Sequence, residues 1–305
     1  MWKWMLCGLL AVSAGAHAQA ADEAAREQAE QRARAFAQSL QYQQGQVAVA
    51  PADAQLKLGK DFRYLGAADA QKVLEQLWGN PPDSDVLGLI VPAGVDLLDE
   101  HSWAVVVTYV DEGYVSDEDA AKIDYAQMLK DMQEGTQEAN AERRKAGYEA
   151  IELVGWAEPP RYDAATKKLY WAKELAFEGS PNHTLNYDIR VLGRRGYLSL
   201  NAVAGMGELA QVRSGMQRLL PQVEFDAGAR YADYDSSTDK TAAYGLAALV
   251  GGGLAAKAGL FAKIGALLLG LKKLLIPLVL VVGAAFGKLI GFFRGKKRDQ
   301  GGTVS

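Results

Sequence analysis

The chain is poor in the residues that carry most protein chemistry. Its 305 residues include one cysteine and three histidines. Cys7 lies inside an apolar run at the N-terminus, and cleavage of that run as a leader leaves no thiol. Disulfides, thiol catalysis and cysteine-ligated metals are then excluded. Outside that leader only His101 and His183 remain, and neither has a second histidine at His-x-x-x-His spacing, so a histidine metal site is not expected. No G-x-S-x-G, P-loop or G-x-G-x-x-G motif occurs. The glycines 251–253 stand in an apolar context with no strand before them. The acidic clusters at 83–85, 117–119 and 233–239 lack the alternating ligands, central glycine and late glutamate of a calcium loop. No catalytic, cofactor or metal residue is therefore assigned.

A basic excess is also missing. The formal net charge is −4, and its distribution is uneven. Residues 21–241 carry 23 Lys and Arg against 36 Asp and Glu, whereas residues 242–305 carry 9 against 1. An acidic body argues against nucleic acid, which is bound by neutralising phosphates. A basic C-terminal part suits an anionic membrane surface.

What the chain does have is apolar runs at both ends. Residues 1–20, MWKWMLCGLLAVSAGAHAQA, combine Lys3, an apolar stretch and Ala16, Ala18 and Ala20. This is the form of a secretory signal cleaved after Ala18 or Ala20. Residues 274–293, LLIPLVLVVGAAFGKLIGFF, contain a single charge, Lys288. Twenty helical residues match the roughly 30 Å hydrocarbon core, and a basic tail, 294–305, follows. Gly283, Gly287 and Gly291 repeat every fourth residue. They give this helix a smooth face suited to close pairing with a second copy. Residues 242–273 are rich in Ala, Gly and Leu but broken by Lys257, Lys263, Lys272 and Lys273. Two arrangements fit: a membrane-associated segment before one span, or the first arm of a two-span hairpin.

Between the ends, residues 21–45 read as an exposed helical spacer, 46–228 as an extracytoplasmic α+β domain and 229–241 as an acidic tether. Helices are expected over 67–78, from Ser116 with its acidic first turn, and over 207–220. Residues 102–110, SWAVVVTYV, are apolar on both faces, as a central strand requires. A strand over 153–156 is expected to stop at Pro159-Pro160. The hairpin is the sharpest local signal. A turn at Arg194-Arg195 sets Val191 against Leu198, Ile189 against Leu200 and Tyr187 against Ala202. The same register sets Arg190 against Ser199 and Asp188 against Asn201. The polar side, Asn186, Asp188, Arg190, Ser199 and Asn201, is the best site candidate. It is either a recognition surface on a rigid sheet or the ordinary wet face of an antiparallel sheet. Trp78, Trp103, Trp156 and Trp171 are expected in the core.

The runs FRYLGAADAQKVLEQLWGNPP at 62–82, SWAVVVTYVDEGYVSDEDAAKIDY at 102–125 and LVGWAEPPRYD at 153–163 carry a family resemblance. So do NYDIRVLGRRGYLSLNAVAG at 186–205 and RYADYDSSTDKTAAYGL at 230–246. Through them the chain resembles bacterial membrane-anchored proteins with domain of unknown function 2167. The resemblance implies a signal peptide, an extracytoplasmic domain and a C-terminal anchor, and it supplies no catalytic residues. The element order is similar to small periplasmic sandwiches of the photosystem PsbP type. The function expected is a non-enzymatic module in the bacterial inner membrane, facing the periplasm and binding a protein or envelope partner. The rival is a hydrolase of envelope material working through carboxylates such as Asp188.

Overall fold

A computed structural model of the chain describes residues 27–251, apart from residues 29, 81, 100 and 146. The expected signal sequence, the 274–293 span, its glycine face and the basic tail lie outside the described residues. Among the described residues no helix is long and apolar enough to cross a membrane. The chain divides into two units, and each is taken by itself. The first contributes a helix, α1, over residues 30–39. Everything that follows belongs to the second, from Leu40 onward.

The second unit is α+β and is built on an eight-stranded antiparallel sheet. Its strands are β1 (Tyr42–Gln43), β4 (Phe62–Gly66), β5 (Val86–Pro92), β6 (Ala104–Val110), β8 (Ile151–Asp163), β9 (Lys168–Phe177), β10 (Thr184–Leu192) and β11 (Tyr197–Gly205), in the spatial order β1-β4-β5-β6-β11-β10-β9-β8. Three further strands, β2 (Gln46–Val49), β3 (Ala54–Lys57) and β12 (Val223–Phe225), form a small sheet of order β12-β3-β2. The small sheet and helix α4 (Leu209–Leu219) cover one face of the large sheet. Leu56, Val212, Met216 and Phe225 pack there with Val105, Tyr187, Ile189 and Leu200. The other face lies against α3 (Tyr125–Lys145) and α5 (Leu246–Gly251), whose apolar residues join the cores holding Trp171 and Leu175. A short helix, α2 (Ala67–Lys72), continues through a wider turn to Leu77.

The hairpin β10–β11 has the register read from its alternation: Val191 opposes Leu198, Asp188 opposes Asn201 and Tyr187 opposes Ala202. β6 is central, between β5 and β11. Trp78, Trp103 and Trp171 are buried, and Trp156 is half-buried.

Four expectations need correction. The spacer does not reach residue 45: Leu40 is buried and Tyr42 pairs with Leu65, with the Arg63 guanidinium 4.1 Å from the Tyr42 ring. The strand at 153–156 does not stop at Pro159-Pro160. It runs to Asp163 with register shifts, because β8 is the sheet edge, where a missing N–H costs no ladder bond. The helix expected from Ser116 begins at Tyr125, with the Asp124 carboxylate accepting the Ala126 and Gln127 amides. Asp117 and Asp119 are used elsewhere. Finally, residues 229–251 do not form a free tether followed by a separate membrane segment. They form a strap, with β13 (Thr241–Gly245) running parallel to β7 (Tyr114–Ser116) and α5 packed into the core.

Candidate functional site: a clamped strap and a buried charge network

The strap is held at three places. At the first, Arg194 in the β10–β11 turn forms a two-pronged pair with Asp239, Nε to Oδ2 at 2.7 Å and Nη2 to Oδ1 at 2.9 Å. Its backbone N–H also donates to the Ala229 carbonyl. This fork holds the Asp239 carboxyl down to about 2. At the second, Gly113 and Tyr114 meet Lys240 and Thr241 backbone to backbone. A Cβ on Gly113 would lie 2.6 Å from the Lys240 carbonyl oxygen, and its φ of +109 is glycine territory. At the third, the Asp119 carboxylate accepts the first amides of α5, Leu246 N at 3.1 Å and Ala247 N at 3.3 Å. That is a helix cap supplied from across the fold.

Asp117 is the hub beneath the strap. One carboxylate oxygen accepts the Tyr162 hydroxyl at 2.6 Å and the Lys167 ammonium at 2.7 Å, and the other accepts the Tyr231 hydroxyl at 3.0 Å. Burial pushes this carboxyl up, but the Lys167 ammonium and the two tyrosine hydroxyls outweigh it and hold it below the ordinary range. Lys167 reaches Asp117 from the β8–β9 turn with its backbone in the left-handed region, φ +56, and its ammonium also lies 4.8 Å from the centre of the Tyr231 ring. Tyr114 stacks between Tyr231 and Tyr234, at 4.4 and 3.8 Å. These tyrosines read locally as a polar linker because their partners are over a hundred residues away, as with Tyr231 and Asp117. The one local signal was the pair Tyr231 and Tyr234 in a stretch otherwise suited to solvent.

The hairpin residues singled out from the sequence are brought together, but not on a surface. Asn186, Asp188 and Asn201 are each no more than 3% exposed, and Ser199 is buried with them. Neither reading of this face, recognition surface or wet side, describes it. Asn186 donates to Asn201, and Asn201 donates to Asp188 at 2.9 Å. Lys173, absent from the sequence-based set, completes the network with Nζ 3.1 Å from Asp188 Oδ2. Arg190 Nη2 lies 3.3 Å from Oδ1. Burial raises the Asp188 carboxyl, yet the Lys173 and Arg190 charges and the Asn201 amide bring it below its ordinary value. A general acid needs the opposite shift and an open approach, so Asp188 does not suit the hydrolase role. Lys173 carried a weak signal: it directly opposes Asn186 once β9 is paired with β10.

His101 and His183 each contact a glutamate, Glu208 at 2.8 Å and Glu174 at 2.5 Å. No group of three potential metal ligands occurs among the described residues.

Fold and strap together define an α+β domain whose C-terminal stretch is a built-in part of the fold. A family model matches residues 41–283, and the chain belongs to that family, Protein of unknown function (DUF2167). The match starts one residue before β1 and runs through the whole strap. No curated protein matches the chain. Several solved structures are similar to it. The solution structure of cyanobacterial PsbP (CyanoP) from Synechocystis sp. PCC 6803 is 9% identical, with 62% of this chain and 93% of that one covered at a TM-score of 0.35. The Ran-binding protein Mog1p of Saccharomyces cerevisiae is 9% identical, with 61% and 96% covered at 0.31. LpqN of Mycobacterium tuberculosis, described as involved in cell envelope biogenesis, is 14% identical, with 62% and 93% covered at 0.28. No function is carried over from them.

Proposed function

We propose that this protein is a membrane-anchored, extracytoplasmic, non-enzymatic module that presents its sheet domain close to the bacterial inner membrane to a protein or envelope partner. The clamped strap carries this reading. Because the domain extends to residue 251, residues 252–273 are what separates it in sequence from the apolar stretch 274–293. The apolar N-terminal run, the acidic body and the basic tail support the same arrangement. The hub at Asp117 is charge-neutralising, which suits rigidity rather than turnover.

The test is fractionation of cells expressing the full chain with a C-terminal tag. The chain is expected in the membrane fraction after alkaline carbonate washing, with its domain open to protease in spheroplasts. Recovery in the soluble fraction would overturn the anchor. Crosslinking in intact cells followed by tag purification is expected to return a reproducible envelope partner, and its absence would count against the binding role.

A further inference from the structure

The face of the large sheet beneath α3 has the wrong chemistry for a permanently covered surface. Opposed residues on antiparallel strands share a face, so the register lays out three rows across β9, β10, β11 and β6. Leu169, Arg190, Ser199 and Thr108 form one row; Trp171, Asp188, Asn201 and Val106 the next; Lys173, Asn186, Val203 and Ala104 the third. The middle of this face is charged and polar, and apolar cores lie on either side of it. Helix α3 bridges those cores: Tyr125 and Met128 pack on one, Leu129 and Met132 on the other.

Two features mark this face as more than a structural clamp. The first is imbalance. Lys173 and Arg190 share one carboxylate, Asp188, and among the described residues neither is paired with a second acid. Arg190 lies 5.0 Å from the Trp171 ring centre. The Trp171 indole N–H, the Asn186 side-chain oxygen and Asp188 Oδ2 are buried without a hydrogen-bond partner. A buried site with two cations on one carboxylate and an unused N–H is complementary to a small oxyanion, and its two unused acceptors to a donor-bearing part of the same molecule. Apolar replacement of such buried clusters is often neutral or stabilising, so the cluster is weak evidence of a purely stabilising role.

The second is the cover. None of α3's 21 residues is buried. Its side chains hold the edge strand and the residues before it by side-chain-to-backbone bonds: Gln133 to the Leu153 carbonyl, Asn140 to both Ile151 backbone groups, and Arg143 to the Glu149 carbonyl. Water replaces such bonds at little net cost. Few buried apolar contacts mark an element that opens locally.

We propose that the Lys173–Asp188–Arg190 face beneath α3 is a binding site for a small carboxylate-bearing molecule, entered by local opening of α3. The carboxylate sits on Lys173, Arg190 and the Trp171 N–H. Asp188 faces the positive or hydroxyl-bearing part of the same molecule.

The experiment uses the full chain in detergent with Cys7→Ser and Ser199→Cys, since Ser199 directly opposes Arg190. Maleimide labelling of residue 199 reports opening. Labelling is expected to be insensitive to denaturant below the global transition. Acetate is expected to slow it by at least about threefold against chloride at equal ionic strength, the effect of a ligand at about twice its dissociation constant. Lys173→Met removes the acetate effect while opening persists. Labelling that tracks global unfolding, no difference between acetate and chloride, or protection by inorganic phosphate but not by acetate would each overturn the assignment. Hydrogen exchange of the α3 amides in the chain with native Ser199 gives the same comparison where the cysteine variant fails to fold.

Discussion

Asp117 shows how much one side chain can organise. Its two oxygens serve Tyr162, Lys167 and Tyr231, which belong to the edge strand, the β8–β9 turn and the strap. Asp117→Asn keeps the shape but removes the charge that Lys167 faces and turns one acceptor into a donor. The expected loss at neutral pH is about 2 kcal/mol, the cost of leaving half-buried partners unmatched. For a domain of this size that is a fall of roughly 4–8 °C in Tm by circular dichroism. The pH dependence follows from the direction of the shift. The folded carboxyl is held below its unfolded value, so its contribution is present above that value and lost as pH falls through the folded one. The gap between wild type and Asp117→Asn should therefore be constant near neutrality and close below about pH 4. Equal stability of the two at neutral pH would show that Asp117 acts through shape alone.

Among the elements, the hairpin and the strap contrast in what the sequence discloses. The β10–β11 pairing was readable because period-two alternation on both strands allows one register, and a slip of one residue would turn Leu198 and Leu200 out of the core. The alternation marked Asp188 and Asn201 as one face, but it did not say what covers that face. Coverage comes from α3 and α5, long-range packing with no local signature. The strap was hidden for the same reason: 230–240 is polar, yet its acids and tyrosines meet Arg194, Asp117 and Thr241. The capping pattern at Ser116 to Asp119 starts no helix there, because Asp119 is used at a distance. Asp119 caps α5, whose sequence alone, LAALVG, offers no cap of its own. Asp119→Ala should cost about 1 kcal/mol and act locally. Amide exchange at Leu246 and Ala247 should rise about fivefold or more, and protease should begin to nick within the strap. Unchanged exchange at those two amides would show that packing of Leu246 alone sets the position of α5.

For the whole molecule, the question is where the domain ends. Composition places the boundary at 228, where the acidic stretch starts. The packing places it at or beyond 251. Tyr231, Ala242, Leu246, Leu249 and Val250 are buried and share a core with Val115, Leu169, Trp171 and Leu192. A chain ending at 228 would uncover Trp171 and Leu169 on the back of the sheet and take Tyr231 from Asp117, the α5 amides from Asp119 and Asp239 from Arg194. Full burial of a large aliphatic side chain contributes about 1.5–3 kcal/mol, so losing Leu246, Leu249 and Val250 removes on the order of 5 kcal/mol, comparable to the whole stability of an ordinary domain. The chain ending at 228 is therefore expected to lose its fixed side-chain packing: near-ultraviolet circular dichroism collapses, a hydrophobic dye binds and no cooperative melt is seen. A chain ending at 251 is expected to melt cooperatively, because every clamp lies within it. Equal melting of the two would mean that the strap is an accessory laid on a finished domain. The domain would then be joined to the apolar stretch through residues 229–273, and the closeness argued from the strap would fail with it.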